Sequence, residues 1–292
     1  MYRLPFLRLE IHSWGGLGSQ LFALALAFDI QIRNQRKIRI VVHTSGVTRR
    51  AIDIQLFGDF FDLVQIEDFA RKSVSTGSSK SLFRKHKLVH YIRRFFEFLH
   101  LLKFDYSINN LGDIKPWTMQ LRGTYSQRVI SGYSLEKISK KILQGLTFDS
   151  NKNLVTNEIS LHYRLGDLID METKTPVDAH RLVDFILKNQ SRWKITNINL
   201  SSDSPIEAKK RLKRLFDSSE FAITTLSSTP LETIRSMIQS SVFVGTGSKI
   251  SYWIILLRFY TDARLINALP IEHREEISQL LEKKHADNIQ YF

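Results

Sequence analysis

Cysteine is absent from the 292 residues, which excludes disulfides and thiolate metal sites and fits a reducing compartment. Other absences narrow the field further. There is no DxD carboxylate pair, no HxH and no HExxH cluster, so no metal site is expected, and the scattered histidines read as packing or surface residues. Neither a Walker A loop nor a GxGxxG fingerprint occurs. Near the C-terminus the longest apolar run, Tyr252 to Leu257, is far below the ~20 residues that span a bilayer. The N-terminus has no long apolar signal-peptide core and runs straight into FLRLEIH, so a cytoplasmic location is expected. Acidic residues are in deficit: 42 Lys+Arg against 29 Asp+Glu leave a net charge of +13. That excess implies an anionic partner, whether nucleic acid, an anionic membrane surface or a phosphorylated substrate.

A hydrophobic content of 43% and a charged content of 24% belong to a folded globular protein. The length suggests two domains of about 150 residues each. Phe6 to His12 alternates like a strand; SWGGLGSQ then leads to the apolar run LFALALAFDIQI and the strand-like KIRIVVH, a βαβ unit. Gly15, Gly16 and Gly18 permit a turn that aims helix N-terminal amides at an anion, although on these residues alone a turn that merely joins strand to helix is the preferred reading. Residues 45–80 read as irregular. Between Phe83 and Phe104, Leu88, Ile92, Phe95, Phe96, Leu99 and Leu102 recur at helical spacing among Arg84, Lys85, Lys87, Arg93 and Arg94. Such a basic amphipathic helix suits either a core helix with a solvated face or a segment lying on a membrane. A second amphipathic helix runs near Leu135, Ile138, Ile142 and Leu146. The polar DSNKN at 149–153 then marks the expected boundary between domains 1–152 and 153–292.

The second half alternates strand and helix: EISLHYRLGDLID, a helix at 177–189, strand 195–200, helix IEAKKRLKRLF, strand 221–225, helix PLETIRSMIQ, strand 241–245 and helix ISYWIILLRFY. This pattern predicts a parallel, doubly wound α/β sheet whose ligands gather at the carboxyl ends of its strands. Arg164, Asp203 and Gly247-Ser248-Lys249 follow three different strands and meet that expectation together. Arg164 offers a fork of donors for phosphate or carboxylate. GTGSK places glycines and Ser248 at a helix N-terminus, an anion nest with Lys249 as a point charge.

Four segments in order resemble a known family. GGLGSQLF at 15–22 is similar to the GGLGNQLF of bacterial inverting α1,2-fucosyltransferases, and HYRLGD at 162–167 to their HxRRGD. SSDSP at 201–205 is similar to the TDDP segment of the wider fucosyltransferase superfamily, and LETIRSMIQSSVFVGTGSKISYW to its last motif, which ends in NSTFSWW. The resemblance implies a GT-B architecture of two Rossmann-like domains facing across a cleft, the C-terminal one holding a GDP-sugar, with no cofactor. It implies that Arg164 grips the pyrophosphate, His162 lies beside the nucleoside, Gly247, Ser248 and Lys249 hold phosphate, and Glu232 takes the guanine N1 and N2 donors. Asp203 matches the first Asp of TDDP. Leu165, Ser19, Gly247 and Tyr252 depart from the family pattern, so the donor sugar or acceptor can differ from fucose and galactose; GDP-colitose is one alternative.

The expected activity is inverting, metal-independent transfer of L-fucose or a related deoxyhexose from GDP to a galactose-containing, lipid-linked glycan. The work would be done at the inner face of a bacterial membrane, in surface polysaccharide (O-antigen) synthesis. Arg164 and a helix N-terminus would stabilise the departing diphosphate. Asp167 is the first choice of base for the acceptor hydroxyl and Asp170 the second. The rival reading is a non-catalytic nucleic-acid-binding protein, supported by the net charge and by the basic stretch 83–104; against it, the basic residues concentrate in one helix, and no aromatic-basic RNA signature is present.

Overall fold

A computed structural model of the chain describes residues 8–14, 16–34, 36–43, 62–66, 91–104, 108–123, 130–146, 155–165, 176–216, 221–226, 230–262, 265–281 and 289–292. The chain divides into two compact units, residues 1–138 and 139–292. The expected boundary at 152/153 lies outside the described residues. Each unit is built on its own parallel sheet with Rossmann-like crossovers.

The N-terminal sheet has the order β3-β2-β1-β5-β4. Its strands are β1 (Leu9–Trp14), β2 (Ile38–His43), β3 (Asp62–Ile66), β4 (Leu102–Phe104) and β5 (Gln120–Gly123). The expected βαβ unit is present, with helix Leu17–Asn34 packed on β1 and β2. Leu9, Ile11, Ile40, Val42 and Leu121 form one buried apolar side through the period-two alternation of strands. The other side carries a polar cluster next to the buried Val41. His12 Nδ1 lies 2.9 Å from His43 Nε2, His12 Nε2 lies 3.3 Å from Glu10 Oε2, and Gln120 donates to the same carboxylate. Burial holds His12 below the ordinary histidine value, with Glu10 opposing that shift.

Two readings of the first half need correction. Residues 45–80 are not wholly irregular, since β3 lies within them. The helix expected over 83–104 stops sooner: residues 91–98 are helical, and 102–104 form β4. His100 adopts φ 57, and Leu101 N–H reaches back to the Phe96 carbonyl at 3.0 Å, the closure of a helix by a left-handed residue. Leu102 is therefore a buried residue of β4, beside Gln120, instead of continuing a helical stripe. The second helix, Gly132–Gly145, is as expected and buries Leu135, Ile138 and Ile142.

The C-terminal sheet has the order β11-β10-β9-β6-β7-β8, with every pairing parallel. Its strands are β6 (Val155–His162), β7 (Asn197–Ser201), β8 (Ala222–Thr225), β9 (Ser240–Gly245), β10 (Ile266–Leu269) and β11 (Ile289–Tyr291). Counted within the unit this is 3-2-1-4-5-6, the doubly wound dinucleotide-fold order, and its direction of winding reverses between β6 and β9. Ile159 and Leu161 of β6, Val242 and Val244 of β9 and Leu200 of β7 sit in the core. Helix Lys249–Thr261 buries every residue from Ser251 to Arg258, which accounts for an apolar run that reads all round the helix. No described helix is long and apolar enough to cross a membrane.

Arg258 is the exception in that apolar helix. Fully buried, it donates to the carbonyls of Met237, Ile238, Ser240, Ser241 and Ile266 and to Asn267 Oδ1 at 2.7 Å. Met237 and Ile238 close helix Pro230–Gln239, where carbonyls lack helical partners and carry the negative end of the dipole. Burial pushes the guanidinium pKa down to about 9, which still leaves it charged at neutral pH.

Candidate anion-binding site

A strand order that reverses leaves a crevice outside the carboxyl ends of the two diverging strands. Here those strands are β6 and β9, and the residues that follow them are Tyr163-Arg164-Leu165 and Thr246-Gly247-Ser248.

The two segments are locked together by side chains in place of a continued ladder. Thr246 donates both its N–H (3.2 Å) and its hydroxyl (3.1 Å) to the His162 carbonyl, while the same hydroxyl accepts the Arg164 N–H at 2.9 Å. On the β7 side Tyr163 N–H bonds the Ser201 carbonyl, and Leu165 N–H bonds Asp203 Oδ1 at 2.9 Å. Arg164 is thus held by its backbone between two flanking clamps, its side chain half-buried, with Tyr163 and Leu165 in the core on either side.

Ser248 is the N-cap of helix Lys249–Thr261, its oxygen accepting the Ser251 N–H at 3.2 Å. His162 Nδ1 reaches Ser251 Oγ at 2.9 Å and Ser248 Oγ at 3.3 Å, and the two hydroxyls lie 3.1 Å apart. The Ser248 hydroxyl is consequently engaged inside the protein, and the groups that the helix start can offer an anion are its first backbone amides. Gly245 has no room for a side chain, since a Cβ there would stand 2.8 Å from Ser251 Cβ. Gly247 adopts φ +72, and a Cβ would fall on the His273 ring. Lys249 opens the helix, half-buried.

The rim therefore gathers His162, Arg164, Asp203, Gly247, Ser248 and Lys249 from the ends of β6, β7 and β9. Glu232 is exposed in the first turn of helix Pro230–Gln239, which follows the edge strand β8. Asp167, Asp170 and Gly15 lie outside the described residues. Gly16 and Gly18 belong to the other unit; Gly18 is within the first turn of helix Leu17–Asn34, and a Cβ on the exposed Gly16 would meet nothing within 4 Å. Four residues absent from the sequence reading complete the geometry: Thr246, Ser251, Tyr252 as a hydrogen-bonding group, and His273. Thr246 lies within the recognised GTGSK segment and Ser251 just beyond it, and a Thr directly after a strand with a Ser three residues past the N-cap was the available signal. Among the described residues, no group of three or more His, Asp or Glu is placed to hold a metal ion.

No family model and no curated protein matches the chain. Solved structures with similar folds are found at low identity. POFUT1 in complex with GDP-fucose is 11% identical at a TM-score of 0.49, over 91% of this chain and 98% of that one. The E. coli heptosyltransferase WaaC with ADP is 13% identical at 0.48, covering 97% and 92%. NodZ alpha-1,6-fucosyltransferase soaked with GDP-fucose is 12% identical at 0.43, covering 86% and 92%.

Proposed function

We propose that this chain is a metal-independent, inverting glycosyltransferase of GT-B type. It would transfer L-fucose, or a related deoxyhexose such as colitose, from a GDP donor to a lipid-linked glycan during bacterial surface polysaccharide synthesis. The observation that carries the reading is the switch point of the C-terminal sheet, where Arg164 and the N-terminus of helix Lys249–Thr261 stand at adjacent strand ends. That pairing suits a diphosphate, because a planar donor fork and a row of amides supply positive potential in a fixed geometry.

In the proposed reaction the acceptor oxygen bonds to the sugar C1 as the bond from C1 to the diphosphate oxygen breaks, and GDP departs with the electron pair. Arg164, Lys249 and the amides stabilise the charge that grows on it. Asp167, with Asp170 as the alternative, takes the acceptor's hydroxyl proton. Glu232 is assigned to the guanine edge, and His162 and Asp203 to the donor side of the rim.

Thermal unfolding across a panel of nucleoside diphosphates and sugar nucleotides tests the reading, since a ligand at a hundred times its Kd stabilises by about 2.7 kcal/mol. GDP and GDP-fucose should raise the Tm, and the adenine and uracil counterparts should not. A protein that binds polynucleotide in a salt-sensitive way and no nucleotide on the panel would remove the proposal. Transfer should also persist in excess EDTA, because the charge on the diphosphate is assigned to protein groups alone. Inactivation by the chelator, reversed by magnesium or manganese, would show that this assignment is wrong.

Peripheral contact with an anionic membrane is part of the proposal. In residues 91–98 the aromatic groups face outward: Tyr91 is 68%, Phe95 59% and Phe98 79% exposed, which takes this part of the segment out of the core. Arg94 is exposed beside them, while Arg93 lies over the Phe104 ring at 3.8 Å. Each basic residue near an anionic surface contributes about 1 kcal/mol. The protein is expected to sediment with vesicles rich in anionic lipid and not with neutral ones. The triple change Arg94→Glu, Phe95→Ser and Phe98→Ser should release it without lowering its Tm. Equal sedimentation with both vesicle types would oppose this assignment.

A further inference from the structure

Helix Lys249–Thr261 starts beside a histidine that neither composition nor motif singles out. His273 closes the short turn Ile271–His273 after β10. Its imidazole edge rests on Gly247: a Cβ built there would stand 1.9 Å from Nε2, so the ring occupies the space that any side chain at 247 would need. The ring's other nitrogen, Nδ1, lies 2.8 Å from the hydroxyl of Tyr252, one turn into the helix. Neighbouring Glu272 is held by a two-pronged ion pair with Arg181 (2.5 and 2.7 Å), which keeps the carboxyl at about 2 and pins the turn that carries the histidine.

These contacts set the tautomer. Tyr252 is buried, and burial raises its hydroxyl pKa further, so it keeps its proton and needs an acceptor. His273 Nδ1 is the acceptor the geometry provides. In the neutral ring the remaining proton must then sit on Nε2. Burial lowers the His273 pKa, opposed by Glu276 and Glu272 and reinforced by Arg181, so the ring is neutral near pH 7. Nε2–H is a donor with no partner among the described residues, set against the Gly247 backbone at the mouth of the helix.

We infer that His273 is a ligand-binding residue of the anion site, donating its Nε2–H to a diphosphate oxygen seated at the Thr246–Ser248 turn, with Tyr252 fixing the tautomer that makes this possible. This rests on the proposed diphosphate chemistry of the rim. It adds a third direction of donors to those of Arg164 and the helix amides, from an element 25 residues or so beyond the motif.

The test uses two probes, GDP-fucose and inorganic pyrophosphate, with two readouts. Calorimetry should find binding of both weakened roughly tenfold or more in His273→Phe, which keeps a flat ring and loses the donor. Tyr252→Phe should weaken them by a smaller factor, because the ring then samples both tautomers. In the unmodified protein, the imidazole ¹⁵N signals of His273 should report the Nε2–H form and shift when either probe is added, a result that does not depend on any variant folding. Pyrophosphate moving those signals while GDP-fucose does not bind would uphold His273 and reject the sugar-nucleotide reading. Unmoved His273 signals with either probe bound, or full affinity in His273→Phe, would overturn the inference; failure of both probes to bind would reject it together with the diphosphate reading.

Discussion

Arg164→Ala is expected to lower turnover roughly a hundredfold to a thousandfold, equivalent to ~3–4 kcal/mol of transition-state stabilisation, while leaving the fold intact. The size follows from where charge develops. Arg164 would meet oxygens whose negative charge grows as GDP departs, so its contribution is larger in the transition state than in the bound donor. The fold should survive because the backbone clamps at this position, Arg164 N–H to Thr246 and Leu165 N–H to Asp203, do not involve the guanidinium. Steady-state kinetics on a variant whose Tm matches the parent would settle the matter. Near-normal turnover would mean that the reacting diphosphate lies elsewhere.

The second large effect concerns stability. Arg258→Leu is expected to destabilise the protein by about 3–5 kcal/mol. The substitution matches the apolar character of helix Lys249–Thr261 and removes the cost of burying a charge. It also takes a donor from five main-chain carbonyls and Asn267 Oδ1, of which those of Met237, Ile238 and Ser240 and Asn267 Oδ1 are buried. Arg258→Lys should fare little better, since one ammonium cannot reach acceptors on the end of helix Pro230–Gln239, on β9 and on β10 together. Chemical denaturation of the parent and both variants measures this directly. A loss below about 1 kcal/mol for Arg258→Leu would indicate that the carbonyls regain partners when the guanidinium goes.

Much of the C-terminal unit was legible because its elements are long and strongly patterned. Helix Pro230–Gln239 has the anticipated bounds, and β6, β7, β8 and β9 fall within a few residues of theirs. Strands β10 and β11 passed unnoticed: INAL and IQY are too short to establish a period of two. The same applies to β4 and β5. The overlong helix at 83–104 has a different cause. Its apolar spacing continues through Leu102, and only the left-handed backbone at His100 ends it, in a residue type that gives less warning than glycine. In the site, Arg164, Ser248 and Lys249 could be read from local sequence because strand ends and helix starts are local features. His273 could not, because a helix, a β-strand and a turn separate it from Gly247 in the chain and only the tertiary fold brings the ring onto the glycine.

Gly247 and Tyr252 are two positions at which the chain departs from the fucosyltransferase pattern it resembles, and both touch the same imidazole. The residues admissible at 247 and 273 are therefore tied. With His273 in place, every side chain at 247 collides with the ring, so a survey that alters one position at a time would score 247 as immutable and attribute this to its backbone angle alone. With a small residue at 273 the steric bar is lifted, and a residue tolerant of positive φ, such as asparagine, becomes admissible at 247. The rim can change by paired steps that single steps cannot reach, and the order of those steps is dictated: the ring must leave before the side chain arrives.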